Sequence, residues 1–407
     1  MIKRFLFPLL VLMVTAGVIL YQFPHLPKNL AIDEVEFAKL ALSLEGKPYT
    51  VYSTMATGHS TLYFYVILFF IKMFGITPLA LRLPSAISGI LCGILFYATI
   101  HIITKNRMIA FFATIVLVTS RWFFGLARFA FEPTFLLLLE LSSVYFLSRY
   151  FQKKRHIDLI ATGFFAGLAY NSYTSGRIYF LVPLFFLIMF LKKKGARILF
   201  YFLIPFIILI TPLQTYLFTH EDIRIYQLSF FSNEKLSVQK KAEFLGQNIV
   251  NTAGMFFSKG DSNGKHNYPF KPALNPILGM FFIIGLYIGI KNWRNRYNQF
   301  FLLSLLISLL PTLLVYPWEN PSMLRTYTAL PSVAYFSVLP FGFVQQIKKI
   351  TKKKIMITGI IFLMALSSLY ELRTYFVYQS QVFKQSFEIK RSLNNVIHCP
   401  NVIQCKD

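Results

Sequence analysis

Acidic side chains are scarce in this chain: 16 Asp and Glu stand against 41 Lys and Arg, a formal charge of +25 over 407 residues. Cysteine is scarcer, at three, and no Cys or His spacing resembles a zinc site. Cys92 lies in an apolar run as a small packing residue, while Cys399 and Cys405 share the C-terminal tail and would pair where that tail is extracytoplasmic. Charge of either sign is also thin, at 14% of residues, against about a quarter in soluble domains. An ordinary soluble protein is thereby excluded. The basic excess does not point to nucleic acid either, because many of the cations sit in short knots between apolar runs: Lys105–Arg107, Lys153–Arg155, Lys192–Arg197, Lys291–Arg296 and Lys348–Lys354. Such knots anchor a membrane topology rather than track phosphates along a groove.

What the chain has in abundance is apolar sequence: 56% hydrophobic and 17% aromatic residues, with a mean hydropathy of +0.56. Apolar runs lie near 5–22, 84–103, 108–125, 134–150, 157–173, 178–191, 198–218, 276–290, 298–316, 326–343 and 355–371. They predict an all-α polytopic membrane protein of about eleven transmembrane helices. The first run has a basic start but no convincing cleavage site, so it reads as an uncleaved span. The run 61–74 is short for a crossing and suits an interfacial or re-entrant helix. Leaving it on the outer side puts all the basic knots inside. The positive-inside rule then gives a cytoplasmic N-terminus and an extracytoplasmic C-terminus. On this reading residues 1–371 form the membrane domain. Its outer segments include a first loop over 24–83 and a long loop over 219–275, and 372–407 is a short outer tail.

Every unusual polar feature falls on that outer face. "DEVEFAKLALS" predicts a helix over 31–45, with Asp33, Glu36, Lys39 and Ser43 on one face and Val35, Ala38 and Leu42 on another, lying flat on the membrane. Asp33 and Glu34 could equally do no more than complement that helix's N-terminus. In "GLARFAFEP" the four-residue spacing of Arg128 and Glu132 suggests an intrahelical pair. "YNSYTSGRIYF" brings Arg177, and "YPWENPSMLRTYTALP" brings Glu319 and Arg325, to outer junctions where aromatic belts and snorkelling are the plain explanations. His59 opens the short run in "TGHSTLYFY". Together, separate carboxylates and several cations on one face are what transfer from a phosphorylated membrane donor to a hydroxyl would need.

In this order the pieces resemble the polyprenyl-phosphate-sugar glycosyltransferases of the GT-C fold. The group in question is family 39, which includes protein O-mannosyltransferases and lipid A aminoarabinose transferases. The matching elements are "DEVEFAKLALSLEGKPY", "HSTLYFYVILFFIKMFGITPLALRLPSAISG", "ARFAFEPTFLLLLEL", "LAYNSYTSGRIYFLVPL" and "NPSMLRTYTALP", spread over about residues 1–345. The resemblance implies a GT-C-type bundle with amphipathic outer-face helices in the first external loop. It also implies an inverting transfer of a hexosyl or pentosyl unit from a polyprenyl-phosphate donor. The acceptor would be a hydroxyl of a glycan, lipid or protein.

By the same resemblance Asp33 is the essential acid, Glu34 its supporting neighbour and Glu132 the second acid. His59, Arg82, Arg177 and Arg325 are candidates for the donor phosphate. His59-Ser60-Thr61 stands where many members have Lys-Pro-Pro, and only a short tail follows the last span where many carry a folded domain. No metal is obligatory on this reading, which still leaves room for a divalent cation near Asp33 and Glu132. The rival is a membrane transporter or lipid flippase, for which Glu140, inside a span, is the main candidate residue.

Overall fold

Long apolar runs become helices because a backbone shielded from water must satisfy its polar groups within the run. The computed structural model of the chain, which describes residues 2–190, 195–345, 347–399 and 402, is built accordingly. Helix α1 (Ile2–Leu20) leads into a loop that carries α2 (Ile32–Ser43), the antiparallel pair β1 (Tyr52–Ser53) and β2 (His59–Ser60), and α3 (Leu62–Phe74). Then come α4 (Pro78–Thr104), α5 (Arg107–Thr119), α6 (Arg121–Leu126), α7 (Glu132–Lys153), α8 (His156–Tyr170), α9 (Leu181–Phe190) and α10 (Gly195–Thr219). A more polar stretch holds α11 (Ile223–Leu228) and α12 (Val238–Phe257). It precedes α13 (Pro276–Lys291), α14 (Arg296–Leu313), α15 (Leu330–Gln345), α16 (Ile350–Arg373), α17 (Ser380–Ser386) and α18 (Leu393–Val396).

Each of the eleven apolar runs carries a helix, and about eleven crossings describe a multi-pass membrane protein. The helices over Pro78–Thr104, Glu132–Lys153, Ile198–Thr219 and Ile350–Ser386 are long and apolar enough to cross by themselves. The last one outruns the expected boundary at 371: α16 passes through a π-helical turn, Thr374–Gln379, straight into α17. Helix α3, with 13 residues, is only about 20 Å long. It buries Tyr63, Phe64 and Ile67 while Phe69 and Met73 stay exposed. Gly75, at φ +74°, then turns the chain into α4 in a conformation that glycine adopts without strain.

Helix α2 departs from expectation. Its polar residues Asp33, Glu36 and Lys39 do share the more open side, but Val35, Phe37, Ala38 and Leu40 are buried within the protein rather than laid on a membrane. Phe37 packs on His59, Phe64 and Phe131, and the C-terminal tail crosses the same region. Leu30 and Ile389 exchange backbone hydrogen bonds of 3.1 and 3.0 Å, Phe387 packs on Phe129, and Lys39 Nζ donates to the Cys399 carbonyl at 2.7 Å. The tail and the first loop therefore share one face of the bundle, called the loop face below. Cys405 and part of the Lys192–Arg197 knot lie outside the described residues.

Arg128 and Glu132 do not pair either. Helix α6 stops at Leu126 and α7 starts at Glu132, so no helical turn joins them. Arg128 instead donates to the carbonyls of Val18 at 3.1 Å, Tyr21 at 2.7 Å and Leu26 at 3.1 Å, and to that of Ile19, closing the open end of α1. Carbonyls at a helix C-terminus need such donors where water is excluded.

Helices α8 and α10 approach closely through a small-xxx-small pair. A Cβ on Gly163 would sit 2.0 Å from the Phe202 carbonyl oxygen, and one on Gly167 would sit 2.8 Å from Leu209 Cβ. Gly163→Val should therefore lower the thermal unfolding temperature in detergent, at a cost of about 1–3 kcal/mol for overpacking. Gly246→Ala, on α12 with open space around its added Cβ, should leave it unchanged or raise it. The same response from both variants would contradict this packing.

Candidate active site

The first loop places its two acids by helix geometry. Asp33 and Glu34 open α2, and neighbouring side chains diverge by about 100° around a helix, so one points in and the other outward. Glu34 is the buried one. Its Oε2 accepts from the Ala31 N–H at 3.1 Å and its Oε1 from the Ala130 N–H at 3.2 Å. Arg82 clamps both oxygens, Nε to Oε1 at 2.8 Å and Nη2 to Oε2 at 2.9 Å. The rest of that guanidinium is also taken, by the carbonyls of Pro24 at 2.7 Å, Pro27 at 2.6 Å and Asn29 at 2.8 Å. An arginine has five N–H donors, and all five are engaged. Arg82 therefore has none for a donor phosphate, and its expected role is corrected to holding the loop together.

Asp33 faces the other way, with its side chain 40% exposed and its Oδ2 against Lys265 Nζ. Lys265 comes from the long loop before α13, where the turn is pinned by Asp261. That carboxylate accepts from the Asn263 N–H at 2.8 Å and the Met323 N–H at 2.8 Å.

Glu132, the first residue of α7, is only 1% exposed. Its Oε1 lies 2.6 Å from His59 Nδ1, while His59 Nε2 lies 2.7 Å from the Ala56 carbonyl. The Ala56 carbonyl accepts from Nε2 in the tautomer that carries the proton there, and Nδ1 meets the carboxylate on the other side of the ring. His59 is thus built into the wall, with Phe37 and Phe64 edge-on to its ring. The other oxygen, Glu132 Oε2, is buried without a hydrogen-bond partner among the described residues.

Arg224, on α11, completes this group. Its Nη1 lies 2.8 Å from His59 Nε2 and 3.1 Å from Nδ1, and its guanidinium lies over the Tyr173 ring at 5.3 Å. Burial works against its charge, but Tyr173, Glu132 and Asp33 around it outweigh that and hold it above the usual guanidinium range. Next to it Asp222 caps α11 and takes the Arg177 guanidinium, which also donates to Ser60 Oγ at 3.2 Å. Tyr52 donates to Asp222 at 3.2 Å, and burial followed by the Asp222 charge pushes its hydroxyl up to about 12. Beside Arg224 opens a cavity of about 160 Å³ with apolar walls from Ile178, Leu228, Pro311 and Leu314 and with Arg325 on its lining. Arg325 is tied to Glu319 Oε2 at 2.9 Å and to the Glu319 carbonyl at 3.0 Å.

The arrangement therefore sets two carboxylates, one against Lys265 and one against His59, beside an apolar cavity with cations at its edge. Residues 58–216 match the family described as dolichyl-phosphate-mannose-protein mannosyltransferase. That stretch contains His59, Arg82, Glu132 and Arg177; it begins after Asp33 and ends before Arg224. The structure is similar to that of ArnT from Cupriavidus metallidurans bound to undecaprenyl phosphate, at 12% identity and a TM-score of 0.53, covering 95% of this chain and 76% of that one. It has the GT-C glycosyltransferase fold. The archaeal oligosaccharyltransferase AglB from Archaeoglobus fulgidus, in complex with an inhibitory peptide and a dolichol-phosphate, is similar at 12% identity and a TM-score of 0.54. There 95% of this chain covers 56% of that one. Sequence comparison with curated proteins finds no match. The family match and the fold together make the chain a glycosyltransferase.

Of the residues singled out in the sequence, Asp33, Glu132, His59 and Arg177 gather around one site, Arg325 lines the adjoining cavity, and Glu34 and Arg82 lie behind it as one pair. Arg224, Asp222 and Lys265 were not singled out. They sit in polar loop sequence, "THEDIRIYQL" and "DSNGKHN", where nothing in the local pattern separates them from solvent-facing charges. Glu140, the candidate of the transporter reading, is buried inside the bundle away from this site, where its backbone carbonyl accepts from Tyr179.

The Arg82–Glu34 assignment has a direct consequence. Arg82→Ala would strand a buried carboxylate and three carbonyls, and should cost about 3–5 kcal/mol of stability. The outcome to look for is loss of folded protein or a large fall in unfolding temperature. The Arg82→Met/Glu34→Met double variant, which removes both charges, should be destabilised less than Arg82→Ala alone. A stable Arg82→Ala protein defective only in donor use would restore the phosphate role.

Proposed function

We propose that the chain transfers a sugar from a polyprenyl-phosphate-linked donor to an acceptor hydroxyl at this site, with inversion, on the extracytoplasmic face of the membrane. The observation that carries this reading is the gathering of two carboxylates, the half-open Asp33 and the buried Glu132, whose Oε2 has no hydrogen-bond partner among the described residues, in a cluster with Lys265, Arg224 and His59. In the proposed reaction the acceptor oxygen bonds to the anomeric carbon as its proton passes to Asp33. The bond from that carbon to the phosphate oxygen breaks on the opposite side, and the polyprenyl phosphate leaves with the bonding electrons. Arg224 and Arg177 would stabilise the charge that grows on that phosphate, where prearranged cations in a dry site act most strongly. Arg325 would lie where the lipid chain enters the apolar cavity.

Several facts support this assignment. ArnT is described with undecaprenyl phosphate bound and AglB with a dolichol-phosphate. The tail that covers the first loop contains Cys399, which is disulfide-bonded, as suits an oxidising compartment. The phosphate is assigned to the arginines of the cluster, and a divalent cation near Asp33 and Glu132 would add to the same charge. The acceptor's class is left as a hydroxyl of a glycan, lipid or protein.

Asp33→Asn keeps the shape and removes the base, so it should lower sugar transfer by ~10²–10⁴-fold with donor binding retained. Arg224→Ala should lower transfer ~10²–10³-fold, the range for losing one transition-state donor, and should weaken donor binding as well. Both are read as transfer from a radiolabelled polyprenyl-phosphate sugar by membranes at matched expression. A fully active Asp33→Asn enzyme would overturn the mechanism.

The orientation is tested separately, in intact cells. A cysteine placed at Ser262 should react with a membrane-impermeant thiol reagent, and one at Lys154 should not. The reverse pattern would put the site on the cytoplasmic side.

A further inference from the structure

Helices α4 and α7 reach the loop face with Arg82 and Glu132, and their other ends carry a separate feature. There His101, Lys105, Phe151, Gln152, Arg296 and Tyr297, from α4, α7 and α14, line an open cavity of about 630 Å³. Helix α7 has 22 residues and so measures roughly 30 Å, about the hydrocarbon thickness of a bilayer. The cavity therefore opens at the leaflet opposite the cluster around Asp33 and Glu132.

Its chemistry is one-sided. Among the described residues no carboxylate lines it, and Asp158, the one acid between residues 141 and 220, is turned to Arg149 at 3.3 Å. Arg296 has no ion-pair partner among the described residues. Its guanidinium lies over the rings of Phe151 at 5.0 Å and Tyr297 at 4.8 Å, and Nη2 meets the Tyr297 hydroxyl at 3.1 Å. Lys105 ends α4 in a left-handed conformation, φ 54°, with its side chain exposed. His101 Nδ1 is buried without a hydrogen-bond partner among the described residues. Ile102 and Ile103 add an apolar flank to the same cavity.

Cations with no ion-pair partner among the described residues, in a cavity between helix ends flanked by apolar surface, fit a phosphate carried on a lipid better than one in free solution. Basic pockets between membrane helices recognise headgroups in this way. We propose that this cavity binds the phosphate headgroup of an anionic phospholipid in the leaflet opposite the catalytic cluster. Arg296 and Lys105 hold the phosphate, and Ile102, Ile103 and Phe151 meet the glycerol and the first acyl carbons. The site is independent of the sugar-transfer reading and of which face is extracytoplasmic.

The test uses the purified full-length chain in neutral detergent, with phosphatidylglycerol or phosphatidylcholine of identical acyl chains, read by native mass spectrometry. One phosphatidylglycerol per chain should be retained at concentrations where phosphatidylcholine is lost. The Lys105→Gln/Arg296→Gln double variant should bind it roughly thirtyfold more weakly, the factor for two interfacial cations. Lys105→Arg/Arg296→Lys, which keeps both charges, should retain it and guards against simple misfolding. Arg224→Ala, at the catalytic cluster, should also retain it. Equal retention of the two lipids, or undiminished binding by the double glutamine variant, would overturn the proposal. So would displacement by inorganic phosphate alone, which would assign the cavity to a free anion. Loss of the lipid from Arg224→Ala would overturn it too, by placing the lipid in the donor site.

Discussion

The Arg82–Glu34 pair is the contact on which the loop face depends. Two charges taken wholly out of water are expensive, and a buried pair is tolerated only when each remaining donor and acceptor is also engaged. Here Arg82 spends its other donors on the carbonyls of Pro24, Pro27 and Asn29, and Glu34 accepts from the N–H groups of Ala31 and Ala130. One network thereby joins the start of α4, the loop after α1, the start of α2 and the turn before α7. Asp33 is the residue before Glu34, and Glu132 lies two residues after Ala130. The two acids of the candidate site, 99 positions apart in sequence, are registered to each other through a pair that itself faces no substrate.

Two more buried arginines repeat the device. Arg128 closes the carbonyl end of α1. Arg121 meets Glu371 at 3.1 Å, the Pro272 carbonyl at 2.7 Å and the Asn267 side chain, tying α6 to the end of α16 and to the loop that presents Lys265. Irregular backbone at membrane depth must find its hydrogen bonds inside the protein, and guanidinium groups supply several from one side chain. The site's own arginines are used differently. Arg177 meets the side chains of Asp222 and Ser60, and Arg224 lies against the Tyr173 ring and His59 rather than on carbonyls. The arginines that gather backbone carbonyls build the face, whereas Arg177 and Arg224 meet side chains at the candidate site.

That distinction also explains what was legible in the sequence. Apolar runs placed the helices because a run long enough to be shielded from water has little choice but to coil. The order of acidic and aromatic motifs brought out Asp33, Glu132, His59 and Arg177. Arg82 was misassigned because a helix-start arginine looks the same whether its partner is a phosphate or three carbonyls of a loop some 55 residues earlier. Arg128 and Glu132 have helical spacing, but the chain leaves the helix between them. Arg224 and Lys265 lie in charged loops without periodicity, and only tertiary contact reveals that they face the two acids. The burial of α2 was equally hidden, since it depends on tertiary contacts such as Phe37 with Phe64 and with Phe131, 94 positions on.

The two carboxylates are not equivalent, and the difference bears on which one takes the proton. Glu132 meets His59 Nδ1 at 2.6 Å and is almost wholly buried. Using it as the base would mean breaking a short buried contact while an acceptor reaches into a sealed wall. Asp33 is 40% exposed and meets Lys265 through Oδ2. In the proposed reaction an acceptor hydroxyl arriving from solvent would meet Asp33 first, so proton removal at the rim and charge stabilisation in the wall would be separate tasks. A fold that fixes both through one pair behind them can change its acceptor by altering the rim alone.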